Sequence, residues 1–354
     1  MFKKYILVTG GAGYIGSHIC LELYNTYKNY NIIIVDRVIN DNIVIQYLKD
    51  IIGDKLLLFE VDLLNYNDIF DIFNTYEISY VIHLAGYKSV SESIYKPILY
   101  YNNNITSTLN LLECMKKFNC FNLIFSSSCC VYGCPDDVPV NELSDTNNKQ
   151  LNPYANTKIF IEKILEDLCK TSIFLSDRWK IVILRYFNPV GAHMSGKIGD
   201  FVKPHVPNNL FLNILENYKN KNKFLFIYGH DYNTKDGTCI RDFIHIEDIA
   251  SAHTKSIAYI NTLNNDNDIY NVHIFNIGTG NGYTVKEVME CFNKHTNNGI
   301  LYTLTKRREG DIEVSYTDNK KATEILKWYP KYNLDDMVKS SLDWCKTLEE
   351  HTKK

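Results

Sequence analysis

The sequence predicts an α/β chain: a doubly wound parallel sheet with helices on both faces, interleaved with a smaller C-terminal domain. Three observations predict it. In the first half, short β-branched runs alternate with longer stretches of helical spacing. A glycine-rich turn stands at the first strand–helix junction. Beyond about residue 190 the alternation fades, and a segment near 238–270 reads as a return to the first domain. The expected division is 1–190 for the sheet domain and 191–354 for the second. Strand–helix–strand repetition requires parallel strands joined by crossover helices, which are right-handed almost without exception.

Strands are expected at Tyr5–Thr9, Ile32–Asp36, Leu56–Asp62, Tyr80–Ala85, Asn122–Ser126 and Lys180–Arg185. Helical spacing occupies Ile15–Tyr27, Asn67–Tyr76, Ile105–Phe118 and Thr157–Cys169. The polar stretches Glu216–Lys223 and Tyr259–Asn271 read as surface loops or frayed helix ends. With 354 residues, 45% of them hydrophobic, the chain has enough apolar material for one large or two intimate domains. A formal net charge of −3 gives no support for a nucleic-acid partner. No apolar run approaches the roughly 20 residues that span a bilayer, and the cytoplasm is the expected compartment. The ten cysteines lack zinc-ligand spacing; they read as reduced thiols, Cys129, Cys130 and Cys134 among them as small core fillers, and no metal site is expected.

The turn Gly10-Gly11-Ala12-Gly13-Tyr14-Ile15-Gly16 has the spacing Gly-x-x-Gly-x-x-Gly. Glycines there permit a tight turn and let the backbone approach a pyrophosphate, which then faces the free N–H groups of the following helix. Asp36, twenty residues past Gly16 at the end of the second strand, suits a ribose 2′-hydroxyl and repels a 2′-phosphate. The neighbouring Arg37 is suited to a phosphate and points the other way; the carboxylate favours NAD as cofactor. Asp62-Leu63 and Leu84-Ala85-Gly86, at the ends of the third and fourth strands, fit the same dinucleotide.

The fifth strand ends in Ser126-Ser127-Ser128, and Tyr154 and Lys158 follow, four apart at the start of a helix and so on one face. A phenol with a pKa near 10 is a poor base at neutral pH. A neighbouring ammonium and the positive nicotinamide of NAD⁺ are expected to lower it. Ser128 is placed to share the substrate proton or to steady the oxyanion.

On these residues the chain resembles an extended short-chain dehydrogenase/reductase with a Rossmann-like sheet, and within that group the UDP-glucose 4-epimerase family. The similarity runs from the first strand to about residue 345. It rests on VTGGAGYIGSH at Val8–His18, AGYKSVSES at Ala85–Ser93, SSSCCVYG at Ser126–Gly133 and NPYANTK at Asn152–Lys158. LRYFNPVGAH at Leu184–His193, YGHDYNTKDGTCIRDFIHIEDIA at Tyr228–Ala250, FNIGTGNGYTV at Phe275–Val285 and RREGD at Arg307–Asp311 complete it. The resemblance implies Tyr154 as base with Ser128 and Lys158 as partners, and Lys88, Asn103 and Tyr186 on the cofactor. It implies Asn188, Asn208, Asn209, Leu210, Arg241, Arg308 and Asp311 on a UDP-hexose, with Ser315 lining the sugar pocket near C2. It also implies a homodimer through helices around Asn102–Phe118 and Asn156–Leu168.

Three departures stand out: a short Asp36-Arg37-Val38-Ile39 turn, the divergent Gly199–Leu210 segment, and Cys129-Cys130 where the family has a small Ala-Thr pair. The last also argues against a 4,6-dehydratase, whose Asp-Glu acid–base pair would stand there. A UDP-pentose 4-epimerase and a non-catalytic NAD-sensing protein on the same fold are the other readings.

Overall fold

The computed structural model describes residues 3–39, 43–146, 151–171, 177–200, 209–219, 224–263, 271–296, 299–308 and 311–352. Its strands are β1 (Lys4–Thr9), β2 (Tyr30–Asp36), β3 (Leu56–Glu60), β4 (Ile78–His83), β5 (Asn122–Ser128), β6 (Lys180–Tyr186), β7 (Asn188–Val190), β8 (Leu225–Tyr228), β9 (Ile240–His245), β10 (Val272–Ile277), β11 (Gly282–Thr284), β12 (Tyr302–Thr305) and β13 (Val314–Ser315). The α-helices are α1 (Tyr14–Thr26), α2 (Ile43–Ile52), α3 (Tyr66–Thr75), α4 (Val90–Tyr95), α5 (Pro97–Tyr101), α6 (Ser107–Lys117), α7 (Pro153–Thr171), α8 (Leu210–Lys219), α9 (Ile246–Ile260), α10 (Val285–His295), α11 (Lys320–Ile325) and α12 (Leu334–Thr352).

Seven strands form one parallel sheet in the order β10-β6-β5-β4-β1-β2-β3. Strand order reverses beside β1, which opens a crevice at the C-terminal strand ends, where such sheets bind ligands. The central strands are buried on both faces, so they read as continuous apolar runs rather than alternating ones. One face packs Ile6, Val8, Ile32 and Ile34 against α1 and α9; the other packs Leu7, Ile33, Val81 and Phe125 against α3, α6 and α7. A smaller sheet of β7, β9, β11 and β13 and a two-stranded β8–β12 pair surround a separate apolar cluster that includes Phe211, Phe243, Phe292 and Met337.

Two predicted strands stop early. β3 ends at Glu60 and β4 at His83, short of Asp62 and Ala85. Past His83 the ladder ends: the Leu84 N–H is shared between the Thr9 carbonyl and the Thr9 hydroxyl, each at 3.2 Å, and the Ala85 N–H donates to that hydroxyl at 3.2 Å. Helix α2 and strand β10 were not predicted. β10 follows a polar stretch and is recognisable as a sheet strand only through its pairing with β6. Of the two polar stretches, Glu216–Lys219 and Tyr259–Ile260 are the last turns of α8 and α9. Residues 220–223 and 264–270 lie outside the described residues, as do Asn208 and the rest of 201–208 within the divergent Gly199–Leu210 segment.

Candidate active site at the C-terminal strand ends

The turn between β1 and α1 has no room for side chains at Gly10 and Gly16. Gly10 adopts φ +69°, and a Cβ there would lie 2.9 Å from the Ala85 nitrogen. A Cβ on Gly16 would lie 2.3 Å from the Gly10 carbonyl oxygen. Gly13 caps α1 with no side-chain hydrogen bond, so the positive end of the helix is presented by backbone alone. Tyr14 and Ile15 turn away from the crevice: the Tyr14 hydroxyl donates to the Gly191 carbonyl at 2.7 Å, and Ile15 packs on the core.

Asp36 ends β2 with one oxygen accepting from Ala12 N–H at 3.1 Å. Burial raises its pKa, against the pull of backbone N–H groups and Arg37. Arg37 lies over the Tyr87 ring at 4.9 Å and stands 3.8 Å from Asp62, so its charge is already engaged. Asp62 also accepts from Leu64 N–H, and Leu63 is buried with its carbonyl held by Asn110.

The stretch Leu84-Ala85-Gly86 is held by residues that sequence reasoning missed. Thr9 is bonded to His83 at 2.8 Å, and His83 to Thr108 at 2.9 Å. Asn104 accepts from Tyr87 N–H and from Asn103, and donates to the Tyr87 carbonyl and to Thr157. It therefore ties the loop after β4 to α7. The only signal in the sequence was its place in an Asn triplet beside Asn103. Lys88 is exposed near Asp200.

Ser128, Tyr154 and Lys158 converge. Ser128 is the last residue of β5, and its Oγ accepts from Cys130 N–H at 3.2 Å. Tyr154 is 8% exposed, with Ser128 as a polar neighbour that pulls its pKa down against burial. Lys158, 5% exposed, donates to the Ser126 carbonyl at 2.7 Å, with Nζ 5.9 Å from the centre of the Tyr154 ring. Burial lowers the Lys158 pKa to about 8, against Glu162 one turn along α7.

Burial and the Cys130 sulfur raise Tyr154 above the ordinary phenol value, so Lys158 by itself does not lower it, and the lowering expected from the sequence depends on the nicotinamide charge. The lysine faces the carbonyl of Ser126 rather than the phenol oxygen, and desolvation penalises the phenolate.

Beneath the triad lies a buried ion pair. Arg185 gives Glu162 two bonds, at 3.0 and 2.6 Å, and a third at 2.9 Å to the Tyr132 hydroxyl, which donates to Asn276. Ser127 donates to the same Glu162. This network joins β5, β6, α7 and β10 under the lysine. Nothing in the local sequence of Glu162 or Arg185 marks it. Tyr186, opposite Ser128 in the β5–β6 register, is buried with its hydroxyl 2.7 Å from His253.

The second half of the site comes from the small sheet. Arg241 lies on β9 with Ser315 as its β13 partner. Arg241 and Arg308 both face Asp311, at 4.0 and 2.7 Å, so two guanidiniums share one carboxylate. Their surplus positive charge suits a diphosphate. Asn188, on β7, donates to the Asp242 carbonyl at 2.8 Å. Asp242 itself is fully buried and accepts from Thr279, Gly280 and Thr317; burial raises it to about 6. Asn209 caps α8 through the Leu212 N–H, and Leu210 opens that helix. Cys129 and Cys130 are half-buried beside Ser128, and Cys129 packs against the core cluster of Val131, Tyr132, Val140 and Phe187. Among the described residues, Cys291, His295 and Asp335 bring ligand-type atoms within 4.8 Å of one another; His295 is hydrogen-bonded to Asp335, and Lys339 reaches that carboxylate at 2.6 Å.

A family model described as GDP-mannose 4,6 dehydratase matches residues 7–341. The UDP-glucose 4-epimerase of Dictyostelium discoideum is 41% identical over 340 residues, covering 96% of this chain and 95% of that protein. The chain belongs to the UDP-glucose 4-epimerase family. Another member, a bifunctional UDP-glucose and UDP-xylose 4-epimerase of Arabidopsis thaliana, is 40% identical over 347 residues, 97% of this chain and 95% of that one. Among solved epimerases, that of Bifidobacterium longum in complex with NAD⁺ and UDP superposes with a TM-score of 0.87. It has 40% identity and covers 97% of this chain and 98% of that one. The family model's dehydratase label does not extend to the residues after Ser128, where this epimerase-family chain has two cysteines in place of an acid–base pair.

Proposed function

We propose that this chain is an NAD-dependent UDP-glucose 4-epimerase, interconverting UDP-galactose and UDP-glucose through a 4-keto sugar. The observation that carries this reading is the convergence of Ser128, Tyr154 and Lys158 beside a glycine turn with no room for a side chain at Gly10 or Gly16. Asp36 receives the adenosine ribose and the α1 N-terminus the pyrophosphate. The bound dinucleotide supplies a nicotinamide that takes up and returns the C4 hydrogen of the sugar.

Tyr154 accepts the proton of the sugar 4-hydroxyl. Its raised pKa means that it becomes a base only when positive charge gathers beside it. Lys158, with a pKa of about 8, remains mostly protonated at neutral pH and supplies one such charge. Ser128 steadies the oxygen from which the proton leaves. Arg241 and Arg308, set by Asp311, hold the diphosphate while the sugar turns over between hydrogen removal and return. The test is incubation of the purified protein with UDP-galactose and no added NAD; UDP-glucose should accumulate, and its absence from protein shown to contain NAD would refute the reading.

Ser315 deepens it. The residue is small and half-buried on β13 beside Arg241, which leaves room for an acetamido group at C2. UDP-N-acetylglucosamine is therefore expected to be epimerised, and Ser315→Tyr to lose that activity while keeping the parent one. A parent that ignores the acetylated sugar would mean another side chain closes the pocket. UDP-pentoses are a second substrate class, favoured by the bifunctional Arabidopsis relative.

Helices α4, α5 and α7 expose Tyr95, Ile98, Leu99 and Phe160, with Phe160 stacked on Tyr101, apolar side chains suited to a second copy of this chain. We assign it to a homodimer, testable by sedimentation. No described helix is long and apolar enough to cross a membrane, and the ten cysteines form no disulfide, which supports a cytoplasmic location.

A further inference from the structure

We infer that Cys291, His295 and Asp335 form a zinc site that fastens the C-terminal helix α12 to α10. None of the three belongs to the cleft residues described above, and the site stands whether or not the proposed function does.

Cys291 and His295 stand four apart on α10, so they share one face of the helix. That spacing lets a single helix offer two ligands to one ion. A capping box at Thr284 and Glu287, and the burial of Val288, Met289 and Phe292, hold α10 in place. Asp335 comes from the first turn of α12, 40 residues past His295, and Met337 and Val338 beside it pack in the same apolar cluster. That distance along the chain is why cysteine spacing alone does not reveal the group. The Cys291 Sγ, a ring nitrogen of His295 and a carboxylate oxygen of Asp335 all lie within 4.8 Å of one another. Cys291 is buried, whereas His295 and Asp335 keep part of their surface, so an ion has a way in from solvent.

An ion pair between the helices would need only His295, Asp335 and Lys339; it gives no reason for a free thiol to stand in the same group. The Asp335 carboxylate is divided: Oδ1 meets His295 Nε2 at 2.5 Å, and Oδ2 accepts from Lys339 at 2.6 Å. Lys339, one turn along α12, thereby aims Oδ1 at α10 and serves as the outer partner of a ligating carboxylate. Zinc bonds are about 2.0 Å to nitrogen or oxygen and about 2.3 Å to sulfur, so its tetrahedral ligand atoms stand about 3.3–3.6 Å apart. Binding therefore draws the thiol inward and parts the imidazole from the carboxylate, small movements that side-chain rotation supplies. The Cys291 thiol gives its proton to solvent as sulfur meets the ion, and His295 ligates through Nε2 with its remaining proton on Nδ1. Thiolate and carboxylate charges then match a divalent cation. A sulfur and nitrogen donor set selects zinc over magnesium and calcium, which take all-oxygen sets, and water fills the fourth position.

The test strips the NAD-loaded protein with EDTA, removes the chelator, and titrates Zn²⁺ against a chromophoric competitor, with Co²⁺ as a spectroscopic substitute. The parent should bind one equivalent of Zn²⁺, and its melting temperature should rise as zinc is added. The Co²⁺ form should show a thiolate charge-transfer band in the near ultraviolet. Cys291→Ser and His295→Gln should each weaken zinc by at least about tenfold, the cost already seen when only an outer partner is lost. Both should lose the zinc-dependent rise in melting temperature, and Cys291→Ser the charge-transfer band, while Cys134→Ser should bind as the parent does. His295 keeps part of its surface, so His295→Gln decides the matter if Cys291→Ser folds poorly. A parent that retains no zinc, undiminished affinity in His295→Gln, a Co²⁺ form without the thiolate band, or a melting temperature indifferent to zinc would each overturn the proposal. None of these readouts uses turnover, so failure of the metal site and failure of the proposed function remain distinguishable.

Discussion

At the turn after β1, a methyl group added to Gly16 would stand 2.3 Å from the Gly10 carbonyl oxygen, so the turn tolerates no side chain at that position. Across the cleft, Arg308 leaves 63% of its side chain in solvent and reaches Asp311 through a bond of 2.7 Å. On the proposed function, the cofactor-facing half would bind with backbone held by close packing and the nucleotide-facing half with long charged side chains on a small sheet. The first is rigid and intolerant of substitution. The second is adjustable, and its charge is partly screened by water. A tightly held cofactor and an exchanging substrate call for this difference.

The largest expected effect lies at the seam between the halves. Tyr154→Phe should fold and retain NAD but lose roughly 10²–10⁴ in turnover, the usual range for a positioned acid–base group. UDP-galactose turnover near the parent value would break the assignment of the seam. Next comes the rigid half. Gly16→Ala must displace the turn backbone, an overpacking cost of about 1–3 kcal/mol. A lowered melting temperature and loss of co-purifying NAD are expected, and a variant unchanged in both would remove the contrast between halves.

In the adjustable half, Arg308→Ala should leave the melting temperature nearly unchanged. It should raise KM for UDP-galactose about tenfold, which is one charge-assisted contact of about 1.4 kcal/mol. A drop in kcat without a change in KM would show that Arg308 acts on the reaction rather than on binding.

The smallest effect is on stability against pH. His18, His83, His245 and His253 are held neutral by burial, with pKa values lowered to about 4, 3, 4 and 4. Unfolding lets them take up protons below pH 6.5, so stability is full above that value and falls as pH drops toward 4. Asp242 and Asp248, raised to about 6, act in the opposite sense between roughly pH 6 and 4, because the folded state there holds more protons. Glu22, Asp36, Glu142 and Asp200, also raised by burial, add to the aspartates' sense; the histidines carry the larger shifts, so the melting temperature should be lower at pH 5 than at pH 7.5. A rise on acidification would show the aspartates dominating.

The chain's periodicity was enough to recognise six strands of the large sheet, and the glycine spacing enough to place its cofactor turn, because both are local patterns with a fixed geometric meaning. Tyr154 and Lys158 were legible for the same reason: four residues apart on a helix is one face. The network beneath them was not. Glu162 and Arg185 are 23 residues apart, on α7 and β6, and become partners only when the strand lies under the helix. Asn104, His83 and Thr9 carry no motif, and their hydrogen bonds link segments that meet only in the folded chain.

The sign of the Tyr154 shift shows where sequence reading stops. The chain determined by itself that a phenol and an ammonium would share a helix face after a serine-ended strand. Only the tertiary structure decided that the phenol is buried beside a cysteine sulfur while the ammonium is turned to the Ser126 carbonyl. Desolvation depends on everything packed around a group, and that surrounding is assembled from residues distant in the chain.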